Sequence, residues 1–193
     1  LLPSNTDLSI TASGATLDPN DNDQTIGSLT GVNGSLVTLG MGTLTTGGNN
    51  KSTTFAGSSS GTGGLIKDGS GTFTLSGPNT YTGPTSVNSG KLSLASNLTS
   101  TSKISVGSGA TLQLQPAVSI DTANLVLGPG GTLDVTTNSE TFDTTVAGHD
   151  ASALFADLAN AYDNGAWDKS GITSSVAAAS NHLTTLGYRL TGD

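Results

Sequence analysis

The side chains that could do chemistry in this sequence are few and widely spaced. Among its 14 acids, Asp68, Asp121 and Asp134 lie centrally, and glycoside hydrolysis needs two carboxyls facing each other across a fixed gap. Asp134 stands between Leu133 and Val135. If those two point inward, Asp134 points outward, and the three read as separate surface acids. Proton abstraction beside a uronate carboxylate would need a strong base. The only arginine is Arg189, and Lys51, Lys67, Lys91 and Lys103 are scattered among turns and strand faces. His149 and His182 stand alone, without the spacing of a zinc site, and no G-x-S-x-G elbow precedes a helix. Asp18, Asn20 and Asn22 have the alternating spacing of a calcium loop. Asp23 replaces the glycine that such a loop needs, however, and Leu29 stands where the closing glutamate belongs. A solvated turn is the better reading, because Asn and Asp side chains bond nearby backbone and tolerate left-handed angles. The sequence therefore predicts no enzyme, no cofactor and no metal.

The elements that carry these residues are short strands. Phe73 and Leu75 alternate with Thr72 and Thr74, and Leu92 and Leu94 with Lys91 and Ser93. Alternation of period two over four or five residues between glycine turns marks half-buried strands. The phrase recurs with Leu112 and Leu114, then with Leu133 and Val135. The steps from Leu75 to Leu94, Leu114 and Val135 are 19, 20 and 21 residues. Val87, Val106 and Leu127 advance with nearly the same steps. Two apolar series in register imply stacked coils that feed continuous parallel sheets. The fold class expected is all-β, a right-handed parallel β-helix over residues 1–145, with a small helical segment at 146–193 that caps or docks. Leu8 and Ile10 open the first coil. Ile26, Leu29, Val32, Leu36, Leu39 and Leu44 supply further coils. Residues 47–60 are the least periodic and read as a longer turn or lateral loop from which Phe55 returns to the core.

Composition narrows the classes. Hydrophobic residues make up 33% and charged residues 10%. That is little for a globular core and too little charge for a disordered chain. A solenoid reconciles the two, since it needs one inward side chain at every second position. A net charge of −8 excludes nucleic acid, which is held by clustered Lys and Arg, and disfavours an anionic membrane surface. No apolar run reaches the length of a membrane span. The chain starts at Leu1 in mid-phrase and ends abruptly, so it reads as a piece of a longer precursor.

The stretch GTGGLIKDGSGTFTLSGPNTYTGPTSVNSGKL, starting at Gly61, resembles the autotransporter-associated β-strand repeat of bacterial passenger domains. The Leu-x-Lys-x-Gly turn, the Leu-Ser-Gly-x-Asn-Thr-Tyr-x-Gly core and the Val-x-x-Gly-x-Leu end are present. Pro84 stands where the family usually has glycine. The resemblance implies a right-handed β-helix on an exported bacterial protein, extracellular or at the cell surface, and names no function by itself. It marks Asn79, Thr80 and Tyr81 as the distinctive corner of the repeat. Asparagines in such corners can ladder coil on coil. Tyr81 reads as a corner-packing residue rather than a sugar-stacking platform.

Towards the C-terminus Asp150 can cap a helix through about Tyr162, with Leu154, Phe155, Leu158 and Tyr162 on one face. Thr173 can cap a second. The phrase YDNGAWDKSGITSSVAAAS is similar to a C-terminal module of large exported planctomycete-type proteins. The function expected is a non-enzymatic structural protein, a fibre or filament subunit associating end to end. Leu1, Leu2, Leu8, Ile10, Leu158, Tyr162 and Trp167 are the candidate self-association residues. The alternatives are a monomeric passenger stalk or an adhesin contacting surface glycans, with a polysaccharide-active enzyme further off.

Overall fold

The computed structural model describes residues 1–121, 125–137 and 170–175. The helices expected over 150–162 and beyond 175 lie outside the described residues, as does Trp167. The rest is a right-handed parallel solenoid of about six turns. Coil one holds β1 (Asp7–Ile10), β2 (Thr16–Leu17) and β3 (Gln24–Thr25). Coil two holds β4 (Ser28–Gly31), β5 (Leu36–Thr38) and β6 (Leu44–Thr46). Coil three holds β7 (Thr53–Phe55), β8 (Ser58–Ser60) and β9 (Leu65–Lys67). Later coils contribute two strands each: β10 (Thr72–Leu75) with β11 (Thr85–Val87), β12 (Lys91–Leu94) with β13 (Ile104–Val106), and β14 (Thr111–Leu114) with β15 (Leu125–Leu127). Two last strands, β16 (Thr132–Asp134) and β17 (Gly171–Thr173), complete the set.

Equivalent strands stack into an eight-stranded sheet, β1-β4-β7-β10-β12-β14-β16-β17, a six-stranded sheet, β15-β13-β11-β9-β6-β3, and a three-stranded sheet, β2-β5-β8. All pairings are parallel, and the register follows the apolar series. Gly31, Phe55, Leu75, Leu94 and Leu114 form one column. Phe73, Leu92, Leu112, Leu133 and Ile172 form another. In the two larger sheets every strand of the middle coils has a neighbour on both sides, so its N–H and C=O groups find partners above and below. The third sheet stops at β8 because the next two coils run through segments without strand geometry. Only the bridges Ser59–Asn79 and Leu98–Ile120 continue it. Pro78 and Pro84 in that stretch lack the N–H that a ladder needs.

Close stacking depends on corner glycines. A Cβ on Gly63 would run into the carbonyl of Gly42, and one on Gly83 into that of Gly63. A second set, Gly14, Gly34, Gly109 and Gly130, takes positive φ as the third residue of tight turns, where a side chain would be strained.

Three expectations need correction. Val32 and Leu36 are exposed at 42% and 38%. Pairing of Leu17 with Val37 sets the alternation of β5, so Val37 faces the core instead, and Leu39 is inside as expected. Residues 47–60 are not a lateral loop. They hold β7 and β8, strands written in Thr and Ser that place Phe55 and Ser59 inside. Finally, the strand β17 joins the eight-stranded sheet from within the stretch assigned to the helical segment.

Candidate functional site

Reactive side chains in the described part are built into the scaffold, and the corner of coil four shows how. Tyr81 is fully buried, and its hydroxyl lies 2.8 Å from Thr85 Oγ1. Thr85 in turn lies 3.3 Å from Thr101 Oγ1, which donates to the carbonyl of Gly83. Burial pushes the Tyr81 phenol up, with the Thr85 bond opposing, so it stays a neutral packing residue with no face for a sugar. Asn79 is 5% exposed and accepts a 2.8 Å hydrogen bond at Oδ1 from Ser59. Its Nδ2 has no partner in the structure. No asparagine ladder forms, because the equivalent residue one coil down is Ser59. Thr80 is exposed and donates to the carbonyl of Ser59.

Lys67 is the group that the sequence misplaced. It is fully buried, in a column with Thr46, Val87, Val106 and Leu127. Its ammonium donates to three backbone carbonyls, Asp68 at 2.7 Å, Gly69 at 2.8 Å and Ser89 at 3.3 Å. All three N–H groups are thereby matched. Burial lowers its pKa, and the charge of Asp68 partly opposes this. The signal was present: Lys67 is two residues after Leu65 and twenty before Val87, both inward.

Residues 65–94, which include Lys67, Asn79 and Tyr81, match a family described as Passenger-associated-transport-repeat. The chain carries a passenger-associated-transport repeat. The solenoid and the repeat together suggest a passenger-like domain, and the repeat implies an exported or cell-surface protein. No curated protein and no solved structure matches the chain. In the repeat, the Lys, Asn and Tyr of the motif all point inward, so what its pattern fixes is the packing of a coil and not an exposed site.

The three central acids, Asp68, Asp121 and Asp134, lie on different faces of the solenoid. Asp134 lies on the outward face of the eight-stranded sheet, yet it is only 4% exposed. It accepts hydrogen bonds from Gln113 Nε2 at 2.8 Å and from the amides of Thr136 and Ser175 at 3.0 and 2.8 Å. It ties residues 170–175 to the last coil. The expectation that it points to solvent is corrected on this count. Asp121 follows the bridge at Ile120 on the third face, and Asp68 follows β9 and accepts from Asn88. In the acidic turn, Asp21 and Asp23 accept the amides of Met41 and Thr43 on the next coil. These carboxylates pin one coil to the next. A small apolar void lies between Leu29, Val37, Phe55 and Tyr81, too small to hold a ligand.

The first coil is different. β1, β2 and β3 each end their sheets, so each has one edge with no strand beside it. Leu8 and Leu17 are half-buried where later coils cover their equivalents, while Ile10 is buried. Leu1 is 89% exposed and Leu2 38%. The segment before β1 crosses this face: Leu2 N donates to Gln24 Oε1 at 2.8 Å, and Gln24 Nε2 donates to the Leu2 carbonyl at 3.0 Å. Asp7 anchors β1 sideways. It pairs with Lys51 at 2.6 Å and accepts from Ser28 and Asn49. The Lys51 bond, then Ser28, hold its carboxyl below the ordinary value. Of the remaining candidate self-association residues, Leu158, Tyr162 and Trp167 lie outside the described residues. Among those residues no helix is long and apolar enough to cross a membrane.

Proposed function

We propose that the chain is a non-enzymatic structural solenoid of an exported bacterial surface protein, and that its copies associate end to end. One observation carries the reading. Exposed large apolar side chains concentrate at the ends of the stack: Leu1, Leu2, Val32, Leu36 and Met41 before or in the first two coils, and Val126 in β15. The coils between expose none among the described residues. An edge of unpaired backbone groups next to apolar surface is a template for another strand, and a head-to-tail contact that does not close propagates as a filament. The non-enzymatic part of the reading is supported by the structural use of Lys67, Tyr81, Asp134 and the acidic turn. Glycan contact has less support, since Phe55, Phe73 and Tyr81, the aromatics of the described residues, are all buried.

A second reading, a monomeric passenger stalk, is favoured by the crossing of Leu2 over β3, which covers part of the first face. Sedimentation velocity over a wide concentration range separates the two. The end-to-end reading expects mass to grow with concentration, and Leu8→Lys, which puts a charge on the β1 edge, to hold the chain at monomer mass. Monomers throughout, or equal growth in both proteins, would reject it.

A further inference from the structure

We propose that the Asn33–Gly34 corner of coil two is a site of spontaneous covalent modification, at which Asn33 loses its carboxamide and becomes aspartate or isoaspartate. This chemistry is independent of end-to-end assembly. It starts from four tight turns of like build. They are closed by hydrogen bonds from Ala15 N to the Ala12 carbonyl, Ser35 N to Val32, Ala110 N to Gly107 and Gly131 N to Gly128. The third residue of each is a glycine at positive φ, Gly14, Gly34, Gly109 and Gly130. The residue before that glycine is Ser13, Asn33, Ser108 or Pro129. In coil two alone of these turns a carboxamide precedes the glycine. A side chain at position 34 would be strained at φ +80 and would press on Ser13, so the fold itself keeps the neighbour of Asn33 bare. Every other asparagine among the described residues precedes a residue with a side chain, which shields the following amide nitrogen.

Asparagine is among the thermolabile residues, and its reaction needs that nitrogen. Asn33 and Gly34 are both exposed, so water and base reach them, and among the described residues the Gly34 amide donates to no acceptor. Loss of its proton to base lets the nitrogen attack Asn33 Cγ. A C–N bond forms, the Cγ–Nδ2 bond breaks and ammonia leaves, which closes a succinimide ring. Water then adds to one of the two ring carbonyls. Opening at Cγ gives aspartate. Opening at the α-carbonyl gives isoaspartate, whose main chain runs through Cβ and Cγ and is longer by a methylene. The consequence is local. The Gly34 carbonyl accepts the Gly14 amide of coil one at 2.7 Å, and the buried Ser35 bonds the Val32 carbonyl through both its N and its Oγ. A longer main chain between Val32 and Ser35 displaces these contacts, so the modified corner comes away from coil one.

The test incubates the folded whole chain at mildly alkaline pH and follows position 33 by peptide mapping with mass spectrometry, which separates asparagine, aspartate and isoaspartate. Most of the Asn33 amide is expected to be lost, with isoaspartate among the products, while the other described asparagines stay intact. Asn164, which also precedes a glycine, lies outside the described residues. Raising the pH should speed the loss. Asn33→Ser, which places there the residue of the same corner in coil one, should stay unmodified. Hydrogen exchange at Gly14 gives a second readout. The isoaspartate form should lose protection there, whereas Asn33→Asp, which adds the charge without lengthening the chain, should keep it. An Asn33 that outlasts the incubation in the folded chain, or that loses its amide no faster than the other described asparagines, would overturn the proposal. Equal exchange at Gly14 in the isoaspartate form and in Asn33→Asp would overturn the displaced corner.

Discussion

Coil four and coil one follow the same alternation and put the same positions inside, but those positions do different work. In coil four the inward side chains Phe73, Leu75, Tyr81, Thr85 and Val87 are enclosed by a coil above and a coil below. In coil one, with a coil on one side only, Leu8 and Leu17 remain half-buried and Gln24 turns its amide on the crossing chain, while Ile10 and Ile26 are buried. The difference teaches that in a one-dimensional stack the value of a residue depends on how many neighbours its coil has. An inward leucine is core in the middle and only half-covered at the first coil.

The sharpest way to break this comparison is one charge in each place. Leu94→Asp, with coils on both sides, should cost about 3–5 kcal/mol in chemical denaturation. Leu8→Asp, open to water on one side, should cost about 1 kcal/mol. Equal costs would mean that the first coil is as enclosed as the middle ones.

Lys67 comes next. Lys67→Met keeps most of the volume but leaves the carbonyls of Asp68, Gly69 and Ser89 without their donor, an expected loss of about 1–3 kcal/mol. The pH dependence gives an independent reading. The folded chain holds Lys67 below its ordinary value of 10.5, so keeping it protonated costs more in the folded chain than in the unfolded one. Stability should therefore rise as pH climbs from the folded value toward the ordinary one. Lys67→Met should lose that alkaline rise.

The inward place of Lys67 was legible by position and hidden by chemistry. Counting by two from Leu65, or back twenty from Val87, puts residue 67 inside, but a lysine argues for solvent until its three carbonyls are seen. Gln24 was hidden in the same way. The apolar columns of the eight-stranded sheet, by contrast, could be read directly from Phe73, Leu75, Leu92 and Leu94, because there residue type and position agree. Val32 and Leu36 misled for the opposite reason. They are apolar residues at outward positions of a coil near the end. The latching of Asp134 under Ser175 was beyond the sequence, since its donors come from 21 and 41 residues away.

Smaller effects refine the contrast. Tyr81→Phe removes one hydroxyl from a buried pair and should cost about 1 kcal/mol, visible as a lower melting midpoint with unchanged cooperativity. At the open end, the Asp7 carboxyl is held below the ordinary value of 3.8. Its contribution is present above that value and fades as pH falls through the folded one. Asp7→Asn should flatten the acid limb of a melting-temperature profile while leaving the neutral region nearly untouched. A chelator should leave the melt of the whole chain unchanged, since the carboxylates of Asp21 and Asp23 are bonded to backbone amides.

The central claim is the proposal that copies meet end to end at β1 and β2, which end their sheets among the described residues. Hydrogen exchange as a function of protein concentration tests it most directly, because exchange reports local pairing of amides. The account predicts that amides of β10 to β13 are protected at every concentration, while those of β1 and β2 exchange readily when dilute and gain protection as the chain associates. Association without added protection at β1 and β2, or with protection gained along the middle coils instead, would contradict it.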